Sequence, residues 1–89
     1  MRSYVTNGFR KLFVELPPYI RSRARTGYRL WAEHPGHPSL QFKRVHPSRP
    51  IYSVRIGIDW RALGVVEDEA IIWFWIGSHA GYDKMLRRL

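Results

Sequence analysis

The run Ala70–Ile76, "AIIWFWI", restricts the possible folds more than any other part of the chain. A strand with one wet face alternates apolar and polar residues; this one is apolar at every position, so protein must cover it on both sides. It therefore belongs in the interior of a sheet. It is also far shorter than the roughly 20 residues a helix needs to cross a bilayer. The sequence then turns polar at Gly77, Ser78 and His79. Ser78 is suited to cap a terminal helix, with His79 in the first turn and Tyr82, Met85, Leu86 and Leu89 directed inward.

The rest of the chain is read against that strand. Thr6 or Asn7 can cap a first helix carrying Phe9, Leu12, Phe13 and Leu16 at helical spacing. Pro17 and Pro18 end it, and Pro18 suits the first turn of a second helix over about 18–33. There Ile20, Ala24, Tyr28 and Trp31 repeat as an apolar stripe, and Arg21, Arg25 and Arg29 form a separate charged one. Such a stripe is ordinarily a solvated face; the alternative is a surface for phosphates or a partner. After the Pro/Gly loop 33–40, strands are expected at 40–45, 51–58 and 61–66. In the 51–58 strand Tyr52, Val54, Ile56 and Ile58 share one face, and Ser53, Arg55 and Gly57 the other. The expected fold is α+β: two N-terminal helices packed on a twisted, mainly antiparallel sheet of about four strands, then a short C-terminal helix. The 89 residues allow one domain, 1–89. No signal peptide or membrane span is legible, and cysteine is absent, which fits a reducing cytoplasm.

Charge narrows the partners. The chain carries net +8, unevenly distributed: residues 1–65 hold 12 basic and 3 acidic groups, residues 66–89 hold 3 and 4. A concentrated positive field attracts nucleic acid, an anionic surface or an acidic protein.

Few side chains are placed for chemistry. His79 comes first, because imidazole near pH 7 can accept a proton and return it to a leaving group. Arg61, in "DWRALG", shares strand parity with Leu63, so one side of it is apolar and partly desolvated. A guanidinium there can grip a phosphate through paired hydrogen bonds and stabilise charge developing on it. Arg55 on the adjoining strand supplies a second cation, and Lys43 can reach the same surface. Trp60, beside a turn, is open to a contact role, whereas Trp73 and Trp75 read as core. His34, His37 and His46 all precede prolines. Without cysteine or carboxylates at ligand spacing they do not read as a metal site. No phosphate-binding or dinucleotide glycine loop is present, so no cofactor is expected.

The segments "LPPYIRSRARTGYRLWAEHPGHPSLQFKRV", "PIYSVRIGIDWRALGV" and "IIWFWIGSHAGYDKML" together resemble a RelE/ParE-superfamily toxin of a type II toxin–antitoxin system. The resemblance runs from about residue 6 to 86 and is nearest the YafQ-like branch, whose last strand ends in Gly-Ser/Thr-His. It implies metal-independent mRNA cleavage at the ribosome: the 2′-hydroxyl attacks the neighbouring phosphodiester and leaves a 2′,3′-cyclic phosphate. It also implies a cognate, acidic antitoxin, for which the arginine stripe or a sheet edge would be a docking surface. By this resemblance Arg61 matches the strand arginine that contacts the scissile phosphate, and His79 the histidine after the last strand. Arg55 matches one of two lysines on the preceding strand, with Ser53 at the other. Asp59 and Trp60 resemble an aspartate–tryptophan pair that positions substrate, and Tyr82 lies near a C-terminal tyrosine. The branch's histidine on the Arg55 strand has no counterpart. Two other members of the superfamily remain as alternatives: a ParE-like gyrase poison, and a degenerate, non-catalytic relative that only binds an antitoxin.

Overall fold

A computed structural model describes residues 1–89. In chain order the elements are β1 (Arg2–Val5), α1 (Asn7–Val14), α2 (Pro18–Glu33), a 3-10 turn (Pro38–Leu40), β2 (Lys43–Arg44), β3 (Ile51–Ile56), β4 (Trp60–Glu67), β5 (Ala70–Ser78) and α3 (His79–Arg88). The strands form one sheet in the order β1-β5-β4-β3-β2. As its composition requires, β5 is interior, with a strand on each side and helices over both faces.

Two features of the sheet differ from expectation. There are five strands, and the additional one, β1, runs parallel to β5. Its four residues are too short and too polar to announce a strand; β5 recruits them by offering an unpaired edge. The pairing is closed by Arg2 N–H on the Glu69 carbonyl at 3.2 Å and Thr6 N–H on the Trp73 carbonyl at 3.0 Å. The Trp73 indole N–H adds a bond to Ser3 Oγ at 3.0 Å. The expected strand over 40–45 shrinks to Lys43–Arg44, because Leu40 is buried from a 3-10 turn instead and Gln41 is left-handed (φ 44°). Likewise β3 stops at Ile56: Gly57 adopts φ 63°, which glycine tolerates, and Ile58 stands 72% exposed in the turn.

The helices form where capping and proline chemistry place them. Thr6 Oγ1 accepts from Phe9 N–H at 3.0 Å, α2 begins at Pro18, and Ser78 Oγ accepts from Gly81 N–H at 3.1 Å. The arginine stripe of α2 is not simply solvated. Arg21 Nη1 donates to the Leu16 carbonyl at 2.6 Å and to that of Val14 at 3.2 Å. Arg25 lies 5.1 Å over the Phe13 ring, a cation–π contact between the two helices.

A β-bulge divides the core. Leu63 pairs with Trp75 but Gly64 pairs with Trp73, which makes Phe74 the extra residue. The side-chain alternation flips there. Trp73 faces α1 and α2 with Ile71, Ile76, Ala62, Trp31 and Ile20, whereas Trp75 faces α3 with Leu63, Ile51 and Tyr82. Gly64 is needed at this crossing, because a Cβ would stand 2.8 Å from the Ile71 side chain and 2.9 Å from Trp73. At about 25 cal/mol per Å², rings burying about 150–250 Å² contribute several kcal/mol each to both layers. The far end of α3 is tied down by His46. Its Nδ1 accepts from the N–H groups of Ser48 (3.2 Å) and Arg49 (2.9 Å), so Nε2 carries the proton and donates to the Leu89 carbonyl at 3.0 Å.

Candidate functional site

On the α3 face of the sheet, the strand register assembles a cationic hollow of about 110 Å³. Arg55 and Arg61 are direct cross-strand partners, so their side chains leave the same face side by side. One strand further out, Lys43 pairs with Ser53. His79 and Tyr82 close the hollow from α3, and Gln41 completes the wall. None of the seven lining residues is acidic. At about 30 Å³ of liquid volume per water, the space matches a few waters or one tetrahedral anion.

Like charges directly opposite each other in a sheet repel, and here the backbone moderates the repulsion. Arg55 Nε donates to the Gly57 carbonyl at 3.0 Å; Arg61 Nη1 donates to the carbonyls of Ile58 (3.0 Å) and Trp60 (2.8 Å). The turn after β3 therefore anchors both guanidinium groups while leaving most of their N–H donors for a ligand. Opposite Arg61 on β5 stands Gly77, which adds no side chain to the hollow. It could hardly be another residue, since a Cβ there would fall 2.6 Å from the Trp75 ring.

His79 is held at its backbone and at its ring. Its backbone N–H donates to the Asp59 carbonyl at 2.6 Å, which joins the start of α3 to the same turn. Its ring stacks on Tyr82, with centroids 5.9 Å apart and planes 20° from parallel. Its Nε2 lies 4.0 Å from Asp83 Oδ2, both side chains being about half exposed (53% and 52%). The imidazole is thus oriented yet open to solvent, as a group that exchanges protons with a substrate must be.

Five of the seven side chains singled out from sequence — Lys43, Arg55, Arg61, His79 and Tyr82 — line this hollow. Asp59 and Trp60 do not. Asp59 contributes its backbone carbonyl from the turn, and Trp60 packs against the core beneath α1 and α2, on the opposite face. The parity of β4 gives the reason, since Trp60 shares the side of Ala62 whereas Arg61 shares that of Leu63. Sequence reasoning missed two neighbours, Asp83 and Gln41. Asp83 was readable at i, i+4 from His79 on one helix face. Ser53, already matched by resemblance to the second cation position beside Arg55, lines the hollow as well, whereas Gln41 comes into position through a left-handed turn that no local signal announces.

A family model for the ParE-like toxin domain matches residues 18–84, three quarters of the chain and every element that builds the hollow. The chain belongs to the ParE-like toxin domain family. The fold agrees with solved toxins of the wider RelE/ParE superfamily. A chain of the RelB–RelE antitoxin–toxin complex of Methanococcus jannaschii superposes with a TM-score of 0.74 at 17% identity, covering 92% of this chain and 96% of that one. YafQ of Escherichia coli gives 0.71 at 15% identity, covering 92% and 98%. A chain of the RelBE2 toxin–antitoxin complex of Mycobacterium tuberculosis gives 0.66 at 20% identity, covering 86% and 95%. The sequence has no significant match among curated proteins. The domain is thus placed by its family and its fold.

Proposed function

We propose that the protein is the toxin of a type II toxin–antitoxin pair and a metal-independent endoribonuclease that stops translation by cutting mRNA at the ribosome. What carries this reading is the convergence of Lys43, Arg55, Arg61 and His79 on one open hollow lined by no carboxylate. A phosphodiester seated there is held by the guanidinium groups of Arg55 and Arg61, with Lys43 at the entrance. His79 takes the proton of the ribose 2′-hydroxyl as that oxygen attacks phosphorus, then returns it to the departing 5′-oxygen. The P–O5′ bond breaks as the P–O2′ bond forms, giving a 2′,3′-cyclic phosphate and a free 5′-hydroxyl. The arginines stabilise the charge added in the pentacoordinate transition state. Asp83 orients the imidazole and Tyr82 supports its ring. Asp59 acts through its backbone by setting where α3 begins, and Trp60 through the core behind the turn. That solved relatives are complexes of toxin with antitoxin supports a cognate antitoxin, with an acidic segment complementary to the +8 chain.

His79→Ala should lower mRNA cleavage by about 10²–10⁴ and abolish growth arrest, with the thermal melt nearly unchanged because the ring is half exposed. Undiminished cleavage by this variant would remove His79 from the mechanism, and absence of mRNA cleavage by the unaltered protein would sink the nuclease reading. The second reading is favoured by one observation: the matching family model is that of ParE-like domains. In that case the toxin poisons gyrase by binding, and DNA replication stops before protein synthesis does.

A further inference from the structure

The wall of the hollow holds one side chain that phosphate chemistry leaves unused. Gln41 lines it, is exposed, and makes no hydrogen bond within the protein through its side-chain amide. Its backbone is left-handed, with φ 44°. Glycine and asparagine suit that region, whereas a longer side chain occupies it at a steric cost. Glutamine therefore stands where its own backbone disfavours it, and strain of this kind gathers at binding sites.

The position is rigid although the side chain is exposed. On one side Leu40 is buried in the larger core. On the other, Phe42 meets Trp31 edge-on at 5.6 Å and stacks on Tyr52 at 5.1 Å. Between them Gln41 N–H donates to the Pro38 carbonyl at 3.3 Å, and two residues on Lys43 pairs with Ser53. Gln41 and Lys43 thus face the hollow together, and neither backbone can shift without dislodging core side chains. The two differ in chemistry. Lys43, like Arg55 and Arg61, can only donate hydrogen bonds, whereas the glutamine amide offers a donor and an acceptor side by side in one plane.

We infer that Gln41 reads the base next to the phosphate seated in the hollow, and that it favours adenine over guanine. The amide N–H donates to adenine N7 and the amide oxygen accepts from the N6 amine. Guanine presents two acceptors on the same edge, N7 and O6, which a cation would match and a neutral amide does not. Gln41 is thereby a specificity residue beside the reacting groups, with no part in moving the proton. The inference rests on the seating of an RNA phosphate between Arg55 and Arg61, and not on its being cut.

The test titrates the full-length ¹⁵N-labelled protein with the 2′-O-methyl dinucleotides ApA and GpG, which lack the attacking hydroxyl, and with inorganic phosphate. ApA should bind about tenfold more tightly than GpG, as for one bidentate contact. It should also shift the Gln41 side-chain amide resonance, identified by its loss in Gln41→Gly. Gln41→Gly should bring the ratio of the two affinities to about one. Its melting temperature should hold or rise, because glycine accepts φ 44°; the lost preference is then not a loss of fold. Gln41→Arg should reverse the preference to guanine by about tenfold, through N7 and O6. Equal affinities in the unaltered protein, a preference kept by Gln41→Gly, or one unchanged in Gln41→Arg would overturn the base reading alone. Arg61→Met should weaken inorganic phosphate and both dinucleotides together. Phosphate that fails to bind, or binds regardless of Arg61, would overturn the seating of the phosphate and the base reading with it. The nuclease reading is scored separately, by cleavage of unmethylated RNA by the unaltered protein.

Discussion

The two faces of this sheet are covered very unequally. Beneath α1 and α2 lies a cluster of eleven buried residues; beneath α3 there are four, Ile51, Leu63, Trp75 and Tyr82. The ten residues of α3 contribute only Tyr82 to the fully buried set. The other face holds the domain together, whereas this one gives up apolar contact for an open arrangement of like charges. Separating the two lets a site that repels itself exist on a chain this small, because the opposite layer supplies the missing stability.

If that division is right, the hollow can be dismantled without harming the fold. Arg61→Met should reduce cleavage by about 10²–10³, the range for removing one preorganised donor from a developing anion, and Arg55→Met should act in the same direction. Neither should lower the melting temperature much. Each relieves a like-charge cross-strand pair (about 0.2–1 kcal/mol) against the loss of exposed hydrogen bonds to the turn. A large fall in stability would show the arginines to be structural ties.

Next in size is the pair of tryptophans that the bulge sends to opposite sides. Trp73→Ala and Trp75→Ala should each cost about 3–5 kcal/mol, lowering the melt by tens of degrees at about 4–8 °C per kcal/mol in a domain of this length. Their functional consequences should differ. Below its melt, Trp73→Ala should cleave normally per folded molecule. Trp75→Ala should lose activity as well, because its ring abuts Gly77 and Gly81, the residues flanking His79. Single-turnover cleavage corrected for folded fraction by circular dichroism separates the two outcomes.

Much of this division was legible in the sequence, and the gaps have physical causes. An interior β5, the 18–33 helix, and the caps at Thr6 and Ser78 follow from local chemistry, and local chemistry was sufficient. So did the placement of Arg61 on the side of Leu63, which strand alternation supplies. The strand β1 was illegible because its stability comes from the edge of β5, 68 residues away along the chain, and not from its own four residues. The bulge was illegible because nothing in "IIWFWIG" distinguishes Phe74 as the extra residue, although it decides which tryptophan faces which layer. Trp60 could have been placed by extending the alternation of β4 back one residue; a turn was expected there, so its side was left open.

A smaller perturbation probes the floor of the hollow itself. Gly77→Ala forces a Cβ to 2.6 Å from the Trp75 ring, directly across from Arg61. Overpacking of this kind costs about 1–3 kcal/mol, and the ring can yield only by moving towards α3. Cleavage should fall further than the melt alone explains. Gly36→Ala, with open space around its Cβ, should change neither.

The finest comparison sets one helix cap against another. Thr6 and Ser78 make the same bond, a hydroxyl oxygen accepting an N–H three residues on, at 3.0 and 3.1 Å. Replacing either with alanine should cost about 1 kcal/mol, so thermal melts should not distinguish them. Activity should. Thr6 starts a helix on the packed face, and its loss leaves Arg61 and His79 where they are. Ser78 fixes the first turn of α3, and with it the bond from His79 N–H to Asp59 and the stacking on Tyr82. Ser78→Ala should therefore lower cleavage several-fold at a stability matched to Thr6→Ala, with glycine at position 78 restoring part of it, since glycine caps nearly as well. Equal activity in the two alanine variants would mean that α3 is positioned by Tyr82 and the His46–Leu89 bond alone, and that the thin face is stiffer than its four buried residues imply.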